Sequence, residues 1–246
     1  DVIEMEDPAT VAAVMVEPIG HTGGIIDPPP EYLPMLRKAC DETGALLIFD
    51  EIITGAGRTG HLFAAETFGV QPDILCAAKG LSGGYAPLSA MVCTREIADV
   101  FWGPIETNPG FVEGHTFEGN PISCAAGLAV LREIVERDLC ANARARGEQL
   151  RAGFQALARK HGIIGDIRGK GLLMGVEFVE DVRTKKPFAP DVKMGVRIGR
   201  RALANGLLCR FDPHWLAFGP PLVTTEEQLG DMLAVLDKSI GEALPA

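Results

Sequence analysis

Apolar residues along this chain alternate between two spacings. Val11 to Val16 is a short, nearly continuous apolar run closed by Glu17-Pro18, the pattern of a strand buried within a sheet. A loop follows with His21-Thr22-Gly23-Gly24 and Pro28-Pro29-Pro30. From Glu31 to Thr43 the spacing changes, with Leu33, Leu36 and Cys40 on one helical face and Gly44 as the stop. Ala45 to Asp50 predicts the next strand and Leu62 to Phe68 a short helix. Asp73 to Ala77 and Leu88 to Cys93 predict further strands. Strands alternating with helices over residues 1–137 indicate an α/β architecture with a mostly parallel sheet.

Around Pro121 the character changes. Proline suits the first turn of a helix, where its missing N–H would have no partner anyway, and a long helix is predicted from Pro121 to about Arg137. Asp138 is placed to cap another, with Leu139, Ala143, Leu150, Phe154 and Leu157 at helical spacing. Ile163 to Ile167 and Leu172 to Phe178 predict strands split by Arg168-Gly169-Lys170-Gly171. Val192 to Asn205 predicts a helix stopped by Gly206, Leu207 to Phe211 a strand, and Thr225 to Ile240 the last helix. The expected organisation is a large domain over residues 1–137 and a smaller α+β carboxyl-terminal domain over 138–246.

Composition narrows the function classes. The 246 residues are 47% hydrophobic with a net charge of −10, enough apolar sequence for a core. The acidic balance argues against nonspecific nucleic-acid binding, while leaving room for a small anion held by local donors. Cys40, Cys76, Cys93, Cys124, Cys140 and Cys209 include no CxxC pair. Cys76 and Cys124 stand in apolar contexts, which predicts buried free thiols rather than disulfides or zinc ligands. His21, His115 and His214 lack metal-ligand spacing, so no metal is expected. Without a signal peptide or a membrane-length apolar run, the expected compartment is the cytosol. Trp215 is read as a core aromatic, with a place lining a substrate entrance as the alternative.

The candidate chemistry lies at strand ends. Asp50 closes one apolar strand and Lys79 follows another, the position where open α/β sheets bind ligands. A lysine amine can hold an aldehyde cofactor as a Schiff base, and a carboxylate can keep a pyridine nitrogen protonated so that the ring withdraws electrons. The pair therefore suits pyridoxal 5'-phosphate (PLP). Lys79 sits between Ala78 and Gly80 in a segment otherwise without charge, where desolvation favours a neutral amine able to move a proton. Gly80, Gly83 and Gly84 either let backbone approach a ligand or mark a plain turn. Ile52, two residues past Asp50, falls on the same side of an extended segment and could press on a ring face. A turn-capping Asp50 and a core Ile52 stay open as alternatives, and Glu51 is read as half of a structural salt bridge.

The run DEIITGAGRTGHLFAAETFGVQPDILCAAKGLSGGYAPLSA, Asp50 to Ala90, resembles the signature of class III PLP-dependent aminotransferases of fold type I. That group includes omega-transaminases, ornithine and 4-aminobutyrate aminotransferases, dialkylglycine decarboxylase and glutamate-1-semialdehyde aminomutase. The similarity continues through VEPIGHTGG (Val16 to Gly24), GHTFEGNPISCAAGLAVL (from Gly114) and FGPPLVTTEEQL (Phe218 to Leu229). The resemblance implies that Lys79 is the Schiff-base lysine, Asp50 the ring-nitrogen partner and Ile52 the residue against the ring. It implies that the Thr116 hydroxyl, in HTFEGNP, reaches the cofactor phosphate of a neighbouring subunit, hence a homodimer with shared active sites. From the residues alone, Thr116 serves equally as a cap for the helix near Asn120. Gly55 to Gly60, with Arg58, is implied to be a structural loop near the site.

This chain departs from the family in two respects. Ornithine- and 4-aminobutyrate-type members carry a carboxylate-clamping arginine three residues before the paired prolines; here that position, before Pro220-Pro221, is Ala217. That departure weakens a 2-oxoglutarate assignment, since the bidentate partner is missing. Arg210 lies in the segment where some pyruvate-using omega-transaminases place a mobile arginine, so the resemblance implies pyruvate as acceptor with Arg210 as its carboxylate ligand or, alternatively, a simple ion-pair partner. Glu17 resembles the family glutamate that pairs with the clamp arginine. The glycine/serine phosphate loop and the ring-stacking aromatic of the family's amino-terminal half do not precede Asp50. The expectation is a carboxyl-terminal portion of a longer enzyme that moves an amino group from an amine or omega-amino acid to an oxo acid. An aminomutase or decarboxylase on the same cofactor, or a truncated non-catalytic domain, are the alternatives.

Overall fold

The computed structural model describes residues 2–107 and 110–244. The chain divides into two units, and it crosses between them more than once. The first takes the chain up to Pro18, then Pro28–Ala56 and Phe63–Arg137; the second takes Ile19–Asp27, Gly57–Leu62 and everything from Asp138 onward. Each short excursion into the second unit follows closely on a strand of the first, which no local sequence pattern indicates.

The first unit opens with α1 (Val2–Met5) and is built on β1 (Ala13–Val16), α2 (Tyr32–Thr43), β2 (Leu46–Asp50), α3 (Ala64–Phe68) and β3 (Ile74–Ala77). It continues through β4 (Ala90–Cys93), α4 (Arg95–Val100) and α5 (Pro121–Glu136). The sheet order is β1-β2-β3-β4, parallel over the first three strands and antiparallel at β4. Alternation along β2 sends Leu47 and Phe49 to one face, where they pack with Leu33 and Cys40 of α2 and with Val70. Burying each such large side chain contributes about 1.5–3 kcal/mol. Gly44 ends α2 at φ +77°, the left-handed stop expected of it. Arg37 of α2 pairs with Asp73 at 2.7 Å, and Asp73 also accepts the Leu47 N–H at 2.6 Å, so one carboxylate ties α2 to the sheet.

The opposite face differs from the expectation of buried strands. Met15 of β1 and Met91 of β4 are 57% and 55% exposed, because no layer among the described residues covers them. Cys124 is likewise exposed rather than buried. All six cysteines are free thiols.

The second unit contains α6 (Leu139–His161), β5 (Ile164–Lys170), β6 (Leu173–Asp181), β7 (Lys186–Pro187), α7 (Met194–Ala204), β8 (Arg210–Phe211), β9 (Trp215–Phe218) and α8 (Glu226–Ala243). Its sheet is antiparallel, in the order β5-β6-β9-β8, with β7 on β6. Leu150, Phe154, Val176, Phe178, Ile198, Leu216 and Leu236 form its core. Asp138 caps α6 by accepting the Ala141 N–H at 3.2 Å. Arg168 to Lys170, read from sequence as a break, continue β5, and the turn falls at Gly171 because β5 and β6 pair from Lys170↔Leu173 outward. A Cβ at Gly147 would lie 2.5 Å from the Gly171 carbonyl, so α6 meets this hairpin backbone to backbone. The predicted strand from Leu207 shrinks to Arg210–Phe211, and its partner β9 is an element the sequence reading lacks, although Asp212-Pro213 and Gly219-Pro220 bracket it.

Candidate active site

In the first unit the register places the sheet's carboxyl ends side by side. Val16 pairs with Phe49 and Asp50 with Cys76, so Glu17, Asp50 and Lys79 all leave the same edge of three parallel strands. That edge is the ligand-binding side of an open parallel sheet. Glu17 is half-buried immediately after β1.

Asp50 is the last residue of β2. Its Oδ1 accepts the Ile52 N–H at 3.0 Å, which closes a turn. Its second oxygen takes no hydrogen bond from a described residue. Ile52 is half-buried in that turn, so the extended geometry assumed for the Asp50–Ile52 pair does not occur: the carboxylate bends the chain as soon as the strand ends.

Lys79 opens a 3-10 turn, Lys79–Ser82, that ends at Gly83 with φ +62°. Its own φ is +47°, a left-handed conformation that disfavours a lysine by about 1 kcal/mol or more. Strain of this kind persists where surrounding structure enforces it, and functional sites are a common reason. The side chain is exposed, not enclosed as its apolar flanks predict, and it makes no ion pair or hydrogen bond with a described residue. An unpaired primary amine on the same strand edge as a carboxylate with an open oxygen matches what an aldehyde-bearing, protonated pyridine requires.

Helix α5 packs on the Lys79–Ser82 turn through Gly127, where a Cβ would lie 3.6 Å from the Leu81 carbonyl. Its cap is Asn120, whose side chain accepts the N–H groups of Ile122 and Ser123 at 3.0 and 3.2 Å. Thr116 therefore is not the cap; it stands exposed in the preceding turn.

Arg210 belongs to the second unit. Its guanidinium lies 5.3 Å from the Trp215 ring centroid and 3.5 Å from Asp212, on a strand where Arg210 pairs with Ala217. The side chain remains exposed, and Trp215 is buried as expected.

Two residues have partners that sequence reasoning did not identify. Glu51, expected in a salt bridge, is 1% exposed and pairs with no cation among the described residues; it accepts hydrogen bonds from Thr54, Ala64 and Ala65, and burial pushes its carboxyl above the usual range. Arg58 donates to the carbonyls of Leu172 and Pro220 at 3.2 and 2.5 Å, while its own carbonyl accepts the Leu172 N–H at 3.0 Å. Burial without a carboxylate lowers its pKa. Only its place in the glycine-flanked run Gly55 to Gly60 hinted at a structural part.

Arg58→Ala is expected to destabilise the second unit by about 2–3 kcal/mol, since charge-assisted hydrogen bonds are lost and buried carbonyls are left unpaired. Denaturant unfolding followed by Trp215 fluorescence, in a Trp102→Phe background, checks this. An unchanged midpoint would refute the anchoring role.

Among the described residues, no group of three or more His, Cys, Asp or Glu is placed to hold a metal, and no helix is long and apolar enough to cross a membrane.

Residues 1–240 match the family profile "Aminotransferase class-III". An uncharacterized aminotransferase of Sinorhizobium fredii is 38% identical over 242 residues, covering 98% of this chain and 52% of the relative. An amine transaminase from an uncultivated Pseudomonas species, solved in its PLP-bound form, superimposes with a TM-score of 0.93 at 37% identity, over 99% of this chain and 55% of that one. A thermostable (S)-enantioselective omega-transaminase from Thermomicrobium roseum gives 0.92 at 34% identity, over 99% of this chain and 54% of its own. The chain thus spans about half the length of the proteins it matches.

Proposed function

We propose, from the premise that this chain belongs to the class III aminotransferases, that it carries the lysine-bearing portion of a PLP-dependent transaminase. The full protein would move an amino group from an amine or omega-amino acid to an oxo acid, with pyruvate as acceptor. The observation that carries this reading is the parallel register that puts Asp50 and Lys79 on one strand edge, each with an unpaired functional atom.

PLP, when bound, supplies an aldehyde for the substrate amine and a ring that draws electrons from the substrate's alpha carbon. The residues of this chain do the rest. Nζ of Lys79 would hold the cofactor through its aldehyde and, as a free amine, would accept and return the alpha proton of the substrate. The open oxygen of Asp50 accepts the ring N–H and keeps that nitrogen positive. Ile52 would press on a face of the ring and exclude water from it. The Thr116 hydroxyl donates to a phosphate oxygen, and Glu17 flanks the substrate at the same sheet edge. Arg210 binds the carboxylate of the oxo acid, releasing Asp212 as it does so.

Thr116 serves the neighbouring subunit in this reading, which makes the enzyme a homodimer. The exposed side chains of Phe111, Val112, Phe117 and Ile122 around Thr116 support an interface there.

The full-length protein, given an amine and pyruvate, is expected to form alanine with ping-pong kinetics. Arg210→Ala should raise the pyruvate KM about tenfold with little change in the amine half-reaction, because the charge-assisted partner of one substrate alone is lost. Equal KM values for wild type and variant would remove Arg210 from acceptor binding. Release of carbon dioxide, or retention of the amino group within one product, would replace transamination with decarboxylation or mutase chemistry.

A further inference from the structure

Glu51 is buried next to Asp50 and takes no part in the chemistry above. Its side chain accepts from Thr54 Oγ1 at 3.0 Å, Ala64 N–H at 2.6 Å and Ala65 N–H at 2.8 Å. Its backbone is also engaged: the N–H donates to the Cys76 carbonyl at 2.8 Å and the carbonyl accepts the Gly55 N–H at 3.0 Å. One residue thereby joins β3, the turn after β2 and the start of α3. A carboxylate is costly to bury without a cation, and these three donors replace its lost hydration.

The turn it organises leads to both candidate cofactor residues. At one end it continues directly from Asp50, whose Oδ1 holds the Ile52 N–H within the same turn. In the middle it is closed tightly, since a Cβ at Gly55 would lie 2.8 Å from the Glu51 carbonyl. At the other end is Ala56, itself at φ +52°. A Cβ at Gly80 would lie 3.2 Å from the Ala56 Cβ, so this turn packs against the backbone that adjoins Lys79.

We infer that Glu51 is a positioning residue for the Asp50–Lys79 pair, aiming the carboxylate at one end of the 51–56 turn and supporting the lysine backbone at the other. The inference rests on the reading of Asp50 and Lys79 as cofactor residues. It distinguishes Glu51 from a core residue that only adds stability, because the consequence of its loss is read at the cofactor.

The test compares Glu51→Ala and Glu51→Gln in the full-length protein. Three quantities are measured: the PLP dissociation constant, the pH titration of the bound cofactor's absorbance, and amide hydrogen exchange in the cofactor-free protein. Glu51→Ala is expected to weaken PLP roughly tenfold, the scale of leaving buried donors unpaired. It should also displace the absorbance titration and accelerate exchange at Ile52 as well as at Ala64 and Ala65. Glu51→Gln, whose amide oxygen can still accept from Thr54 Oγ1 and the Ala64 N–H while its NH2 faces the Ala65 N–H, should recover part of the affinity and displace the titration less than Glu51→Ala. Should Glu51→Ala fail to fold, Thr54→Val removes a single donor and must shift the same readouts in the same direction by about twofold to threefold. Wild-type affinity and titration in a folded but destabilised variant would overturn the inference. If the wild-type protein itself takes up no PLP, the functional reading fails separately. The Ile52 exchange rate then decides alone: acceleration upholds the positioning of the Asp50 turn, and a wild-type rate ends it.

Discussion

Lys79→Ala in the full-length protein is expected to abolish transamination, by at least about 10⁴-fold, the upper range for loss of a proton-transferring side chain alone. The loss is chemical rather than structural. Lys79 is exposed and forms no hydrogen bond or ion pair with described residues, so removing its side chain breaks no native contact of that kind. Borohydride treatment followed by peptide mapping gives the second readout: the wild type should retain cofactor on the peptide containing Lys79 and the variant should retain none. An added small primary amine should restore part of the proton transfer. The backbone supplies a control. At φ +47° alanine keeps the left-handed strain, whereas Lys79→Gly relieves it by about 1 kcal/mol. Both variants should be equally inactive although they differ in stability, which separates the amine from the strained turn that presents it. Activity in either would remove Lys79 from its role.

Asp50→Asn is expected to lower kcat by about 10²–10³-fold, the usual scale for removing one preorganised electrostatic partner of developing charge. The substitution isolates charge from shape. An asparagine Oδ1 still accepts the Ile52 N–H that Asp50 accepts at 3.0 Å, so the turn survives. What disappears is the negative oxygen that keeps a ring nitrogen protonated. The bound cofactor's absorbance should therefore titrate at lower pH, with thermal stability close to wild type. A variant with wild-type kcat would show that Asp50 serves only to end its strand, the turn-capping role its hydrogen bond also fits.

The strong elements were legible because local pattern and tertiary context agree in them. Leu33, Leu36 and Cys40 at helical spacing became the buried face of α2, and Asp138 became the cap of α6. Disagreement arose where a partner lies far away in sequence. Trp215–Phe218 is a strand because β6 and β8 flank it, and the residues themselves carry only a short apolar run. Arg168 to Lys170 were mistaken for a break because glycine and charge are turn-like locally, yet the ladder with β6 holds them extended. Exposed Met15 and Met91 point to the same limit: an apolar residue signals that it should be covered, without saying by what.

The candidate chemistry was visible in sequence because strand ends, glycines and a lone lysine are local features, and the resemblance over Asp50 to Ala90 attached roles to them. By itself the sequence determined the family, the α/β architecture and the identity of Lys79 and Asp50 as the residues to test. Only the tertiary structure decided that Glu17, Asp50 and Lys79 share one edge, since that depends on parallel register between strands separated by a helix or long loop. It alone decided that Glu51 is held by backbone N–H groups rather than a cation, and that Arg58 secures the Gly57–Leu62 excursion to carbonyls more than a hundred residues away. Such groups find their partners through space, and a buried charge advertises nothing in sequence about which distant backbone atoms will receive it.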